Sequence, residues 1–183
     1  MDLNKIDKTW TLFLDRDGVI NVEKKGDYVL NVNGFIFSEG AQEAIKILSG
    51  IFGLMIVVTN QRSVAKQLMT LEDLHGIHAY MTEELHNQCG RIDKIYYCAD
   101  MNDDSPNRKP NPGMALEAKK EFPQIDFSKS IMVGNTLSDM RFARNAGIYS
   151  VFIPSTDPDV PFPNELIDLR FNSLLDFAMA FPH

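Results

Sequence analysis

The chain is poor in cysteine, in tryptophan and in basic charge, and it has no long apolar run. Two cysteines in 183 residues, Cys89 and Cys98, exclude a disulfide framework. No window reaches the roughly 18 apolar residues of a membrane span. The opening residues Met1-Asp2-Leu3-Asn4-Lys5 lack the apolar core of a signal peptide. A cytoplasmic protein with no membrane partner is therefore expected. Lysine and arginine together number 18 against 25 acidic residues, a net charge of −7, so no nucleic-acid partner is expected. Repeats and low-complexity segments are missing as well. What remains is an ordinary globular composition, 44% hydrophobic and 23% charged, on a length that suits one domain over residues 1–183.

Apolar runs at 10–14, 54–58, 94–98, 131–133 and 149–153 read as strands, with an edge strand around 166–171. Helical spacing separates them. Ser38 is placed to cap a first helix, Thr70 and Asp73 to box the start of a second, Pro112 to open a third and Ser138 to cap a fourth that Gly147 stops. A C-terminal strand and short helix fall at about 164–180. Residues 21–37 read as a hairpin flap turning at Asn33-Gly34, and residues 62–67 as a polar loop. The alternation predicts an α/β fold, a parallel sheet of about five to six strands with helices on both faces.

Chemistry gathers at the predicted strand ends. The first strand runs into Asp15-Arg16-Asp17-Gly18, the second into Thr59-Asn60-Gln61 and the fourth into Gly134-Asn135, while Lys109 precedes a helix. Carboxylates one residue apart leave an extended chain on the same side, so both can address one bound group. One can attack while the other moves protons, with a divalent cation offsetting their charge. For the pair alone, a strand end capped by solvated acids is the bland alternative. With the Thr, the Lys and the later Asn135 and Asp139, a phosphoryl group suits the set. Asp15 is then the nucleophile, Asp17 the acid and base, Thr59 a phosphate donor and Lys109 the charge-offsetting cation. Asp15, the Asp17 carbonyl and Asn135 would hold magnesium.

The stretches FLDRDGVIN, VVTNQ, RKPNPGM and VGNTLSDM resemble, in order, the four motifs of the haloacid dehalogenase superfamily of phosphatases. The surrounding residues are similar to its heptose bisphosphate and histidinol-phosphate phosphatase branch. The resemblance implies a Rossmann-like domain and a magnesium-dependent phosphomonoesterase forming an aspartyl-phosphate at Asp15. It repeats the roles of Asp17, Thr59 and Lys109, and puts Asn135 and Asp139 in the metal-site motif. An acid at Asp17 points to phosphatase or phosphomutase chemistry. The short connection between the second strand and Lys109 leaves no room for a large cap domain, so a capless cleft roofed by the flap is expected.

Three departures from that family pattern stand out. Asn135 replaces an acid, which removes a formal charge and predicts weaker metal binding. Only Cys98 remains of the branch's zinc loop, so no zinc is expected. The loop that relatives write T-N-Q-S-G-I-A-R-G reads Thr59 to Gln67 here, with two glycines lost and Arg62 gained, which puts the substrate in question. Arg62, Lys66 and Arg108 suit a second phosphate or a sugar acid, and Asn60 joins them as a substrate-binding candidate. Lys24 and Lys25 read as plain flap charges, and His75, His78 and His86 as a partly exposed helix face. The expected substrate is a small phosphorylated metabolite, first a heptose 1,7-bisphosphate losing its 7-phosphate. Histidinol phosphate, a polynucleotide 3′-phosphate and a non-catalytic phosphometabolite-binding module are the alternatives. A monomer or weak homodimer is expected.

Overall fold

The computed structural model describes residues 1–182. Its elements in chain order are β1 (Thr11–Leu14), α1 (Ala41–Ile51), β2 (Leu54–Asn60), α2 (Arg62–Ala65), α3 (Leu71–Asn87), β3 (Lys94–Cys98), α4 (Gly113–Glu121), β4 (Ser130–Gly134), α5 (Leu137–Ala146), β5 (Tyr149–Phe152), β6 (Leu169–Arg170) and α6 (Leu174–Met179). The strands form one six-stranded sheet in the order β3-β2-β1-β4-β5-β6, with every pairing parallel.

Alternation along the strands divides the core. Leu12, Leu14, Met55, Val57, Ile131 and Val133 point to one face, under α1, α3 and α6. Phe13, Ile56, Val58 and Met132 point to the other, under α4 and α5. Successive side chains of a strand leave opposite faces, so runs that are apolar throughout require cover on both sides. The expected α/β architecture is what forms. Its topology also locates a crevice. The chain builds outward from β1 to β2 and β3, then crosses to β4 and builds outward on the other side. The β1/β4 junction is the point where the strand order reverses, the usual ligand position in open α/β sheets.

Several local expectations are corrected. Residues 21–37 form no hairpin. Their only ladder contact with a neighbour across the flap is the isolated bridge Asn21↔Phe37, and Val32–Gly34 makes a 3-10 turn closed by Asn31. Gly34 lacks the positive φ that a two-residue hairpin turn at Asn33-Gly34 requires. Val29 and Phe35 are instead drawn into the core. Residues 62–67 are not simply a loop, because Arg62–Ala65 winds into the one-turn α2. Helix α1 starts after Gly40 (φ +71°), not Ser38, and α5 is capped by Thr136, not Ser138. The Thr70–Asp73 capping box of α3 and the Gly147 stop of α5 form as expected. The C-terminal edge strand shrinks to two residues, Leu169–Arg170. Among the described residues no helix is long and apolar enough to cross a membrane.

Candidate active site

Register carries the predicted strand ends to one edge. Leu14 pairs with Val57 and with Val133, so the residues that follow each stand side by side. Asp15 continues the ladder by one bond, its N–H donating to the Val133 carbonyl at 2.9 Å. Asp15, Asp17, Thr59, Lys109, Asn135 and Asp139 all line one cleft of about 190 Å³. That volume admits a phosphoryl group together with part of the molecule that carries it.

Lys109 is the hub. Its Nζ lies 2.8 Å from Asp15 Oδ1, 2.6 Å from Asp139 Oδ1 and 2.9 Å from the Val58 carbonyl. Burial disfavours its charge, but Asp139 and Asp15 outweigh that and raise its pKa, so it stays an ammonium. The Asn60 side chain staples the loop that carries it, accepting from Lys109 N at 3.0 Å and donating to Lys109 O at 3.1 Å. Both ends of that amide are engaged in this way. Asn60 therefore positions Lys109, and it also lines the cleft in which it was expected to touch substrate.

Asp15 Oδ1 also accepts from the Arg16 N–H at 2.7 Å, so Lys109 and this amide tie down one oxygen of the carboxylate. Burial pushes the Asp15 carboxyl up, Lys109 pulls against it, and Asp139 and Asp17 add to the rise, leaving it at about 7. Asp139, expected in the metal-site motif, is engaged by protein groups at both oxygens. Its Oδ2 accepts from Asn135 N at 3.2 Å, Thr136 N at 3.0 Å and Thr136 Oγ1 at 2.8 Å, boxing the start of α5, and its Oδ1 holds Lys109. Gly134 permits this arrangement, since a Cβ there would lie 2.2 Å from Asp139 Cβ.

Asp17 is surrounded by donors. Arg16 Nη2 reaches both its oxygens at 2.9 Å, Asn21 Nδ2 reaches Oδ1 at 3.0 Å and Gln61 Nε2 reaches Oδ2 at 2.9 Å. Burial alone would raise its pKa. The Arg16 charge and the bonds from Asn21, Arg16 and Gln61 prevail and hold it below the usual carboxylate range. Gln61 also donates to Thr59 Oγ1 at 2.9 Å, which leaves the Thr59 hydroxyl proton free to be donated elsewhere.

Sequence reasoning missed Arg16, Gln61 and His78. Arg16 is only 1% exposed, and its Nη1 lies 3.2 Å from His78 Nε2. An arginine can only donate, so that imidazole nitrogen accepts. Burial and the Arg16 charge push His78 down to about 3, which keeps it neutral. His78 is thus buried on the inner side of α3, contrary to the exposed face expected of the three histidines. The signal for Arg16 was its place between two acids; nothing in the sequence paired it with a residue 62 positions away.

The cations expected to bind substrate fall outside the cleft lining. Arg62 and Arg108 converge on Asp103, whose side chain is 80% exposed, with Arg108 Nε at 3.0 Å. Lys66 bonds the Tyr28 hydroxyl at 2.8 Å and lies over its ring. Lys24, read as a plain flap charge, does line the cleft, as does Tyr28.

The oxygen donors of the cleft suit magnesium. Asn135 Oδ1 is buried with no hydrogen-bond partner, in the same cleft as Asp15. An orphaned buried oxygen costs stability unless something occupies it, and amide, carboxylate and carbonyl oxygens are what a hard divalent cation takes. Among the described residues no three His, Cys, Asp or Glu side chains gather for a metal. Asp15, the Asp17 carbonyl and Asn135 fit magnesium.

Comparison with known proteins points the same way. A family model described as haloacid dehalogenase-like hydrolase matches residues 3–147. The D-glycero-alpha-D-manno-heptose-1,7-bisphosphate 7-phosphatase of Mycobacterium bovis is 35% identical, covering 95% of this chain and 92% of its own. The protein of the same name from Campylobacter jejuni is 39% identical over 80% of this chain and 83% of its own. Among solved structures, the D,D-heptose 1,7-bisphosphate phosphatase from B. bronchiseptica, complexed with magnesium and phosphate, superposes with a TM-score of 0.81. It is 26% identical and covers 93% of this chain and 96% of its own.

Proposed function

The chain belongs to the haloacid dehalogenase-like hydrolases and is a phosphoric monoester hydrolase, and from that premise we propose that it removes the 7-phosphate of a heptose 1,7-bisphosphate with magnesium. The observation that carries the reading is Lys109 held between Asp15 and Asp139 at the sheet's reversal point, beside an Asn135 oxygen left without a partner. The names of the Mycobacterium bovis and Campylobacter jejuni relatives support the heptose substrate.

In this reading Asp15 attacks phosphorus through Oδ2, because Lys109 and the Arg16 amide occupy Oδ1. The phosphoryl–oxygen bond to the sugar breaks and Asp17 delivers a proton to the departing alcohol. Held ionised by Arg16, Asp17 is set for the second half-reaction, in which it takes a proton from the water that hydrolyses the aspartyl-phosphate. Approach of the anionic phosphoryl group favours its protonation for the first. Thr59 donates its hydroxyl to a phosphoryl oxygen and Lys109 offsets charge on the transferring group. Magnesium, when bound, reduces the repulsion between carboxylate and phosphate. Asp15, the Asp17 carbonyl and Asn135 would hold it.

The remaining phosphate of the substrate would lie at the mouth, toward Arg62 and Arg108. Arg62 Nε and Arg108 Nη1 are buried without acceptors, so the pair has donors for an anion beyond Asp103. Lys24 and Tyr28 would face the sugar from the flap, with Lys66 bracing Tyr28. Free cysteines, Cys89 exposed and Cys98 buried, suit a reducing cytoplasm.

The test is acid-quenched single turnover with phosphate release across a panel of both heptose bisphosphate anomers, histidinol phosphate and a 3′-phosphorylated oligonucleotide. A labelled phosphoryl group should appear on the chain and be absent from Asp15→Asn. Retention of ligand without any acyl-phosphate would indicate a binding module. Faster release from histidinol phosphate would reassign the substrate.

A further inference from the structure

An asparagine at a metal site raises a problem that an aspartate does not. A carboxylate presents oxygen whichever way it is turned, whereas only one end of an amide can face a cation. Something must choose the end. At Asn135 the surroundings do so through the direction of two hydrogen bonds.

Glu23 Oε2 accepts from Thr156 Oγ1, and Thr156 Oγ1 accepts from Asn135 Nδ2. A carboxylate can only accept, so the Thr156 proton is committed to Glu23 and its lone pair faces Asn135. The NH₂ end of the amide must then turn to Thr156. Oδ1 is left pointing away, buried and without a protein donor. The pocket is shaped around this arrangement. A Cβ on Gly18 would stand 2.0 Å from Asn135 Nδ2, and Ser155 Oγ bonds the Gly18 carbonyl at 2.5 Å. The segment after β5 therefore grips both the turn beyond Asp17 and the amide at the end of β4.

We propose that Glu23 and Thr156 are positioning residues that set the Asn135 amide with its oxygen toward the divalent cation, adapting the site to asparagine. The proposal rests on the magnesium reading above. It has a consequence for charge restoration. Aspartate at 135 would place an acceptor where Nδ2 now donates, and the single Thr156 proton cannot serve two carboxylates. Restoring the acid should therefore help the metal only once Glu23 has lost its charge.

The experiment measures Mg²⁺ affinity by isothermal titration calorimetry on the full chain, with no substrate present. Thr156→Val should weaken Mg²⁺ binding about fivefold to tenfold, the scale of one lost orienting hydrogen bond, while Thr156→Ser should bind like the native chain. Asn135→Asp should tighten binding by a much larger factor in a Glu23→Gln background than in the native one. Circular dichroism melts establish that each variant is folded; if Thr156→Val is not, the Asn135→Asp comparison decides. Native affinity in folded Thr156→Val, or the same gain from Asn135→Asp in both backgrounds, would overturn the proposal. Absence of Mg²⁺ binding by the native chain would overturn the proposal and the magnesium reading together, whereas a wrong heptose substrate would leave these affinities untouched.

Discussion

Replacing Lys109 with methionine removes a buried charge while keeping most of the side chain's bulk. In the native chain Nζ contacts Asp15 Oδ1 at 2.8 Å, Asp139 Oδ1 at 2.6 Å and the Val58 carbonyl at 2.9 Å. The three side chains are all buried. Lys109→Met would leave two carboxylates facing each other with no cation between them. Breaking a buried pair from one side costs about 3–5 kcal/mol, where an exposed pair costs about 1 or less. Asp139 is the harder of the two to relieve, since it lies deeper and its other oxygen is fixed by the α5 cap. Combining Lys109→Met with Asp139→Asn should therefore recover part of the loss, a coupling visible in a double-mutant cycle. The assay is urea unfolding at constant pH, read as a shift in midpoint at unchanged slope. A loss below about 1 kcal/mol for Lys109→Met would refute the hub role.

Three further outcomes are expected. Gly18→Ala should destabilise the chain by at least about 2 kcal/mol in thermal or urea unfolding, since φ is +83° and the new methyl would meet Asn135; a smaller loss would mean that Asn135 yields. Asp168 takes Arg144 at 2.8 and 2.9 Å and the Ser150 N–H at 2.8 Å. Burial pushes its pKa up, but the Arg144 and Ser150 hydrogen bonds and the Arg144 charge outweigh this and leave it lowered. A lowered folded pKa stabilises above the ordinary aspartate range and is lost as pH falls through the folded value. Asp168→Asn should thus cost about 1–3 kcal/mol at pH 7, and the difference from native should narrow in acid unfolding titrations. Arg62→Ala should raise KM for a bisphosphate several-fold while leaving p-nitrophenyl phosphate hydrolysis unchanged in steady-state assays; equal effects on both would remove Arg62 from substrate recognition.

The order of strands and helices, the identity of the strand-end acids and the resemblance to a phosphatase family were all legible in the linear chain. Burial on both faces makes a strand apolar throughout, and alternation with helical spacing leaves little choice but a parallel sheet. Asp15, Asp17, Thr59 and Asn135 could be picked out because each ends or follows an apolar run, and Lys109 because it stands just ahead of a helix. The flap was misread because Tyr28-Val29-Leu30 and Phe35-Ile36-Phe37 carry strand-like residues, yet the core takes Val29 and Phe35 and leaves no ladder between them.

Which partner each polar group takes was decided only by the folded chain. Arg16 meets His78, Asn60 staples Lys109, Asp139 holds the same lysine, and Glu23 reaches Asn135 through Thr156. These pairs are separated by tens of residues or more, and no local pattern joins them. Periodicity reports which way a side chain faces because the backbone sets that locally. A hydrogen bond between distant loops depends on ångström-scale placement of both ends, and that placement exists only once the sheet has brought them together.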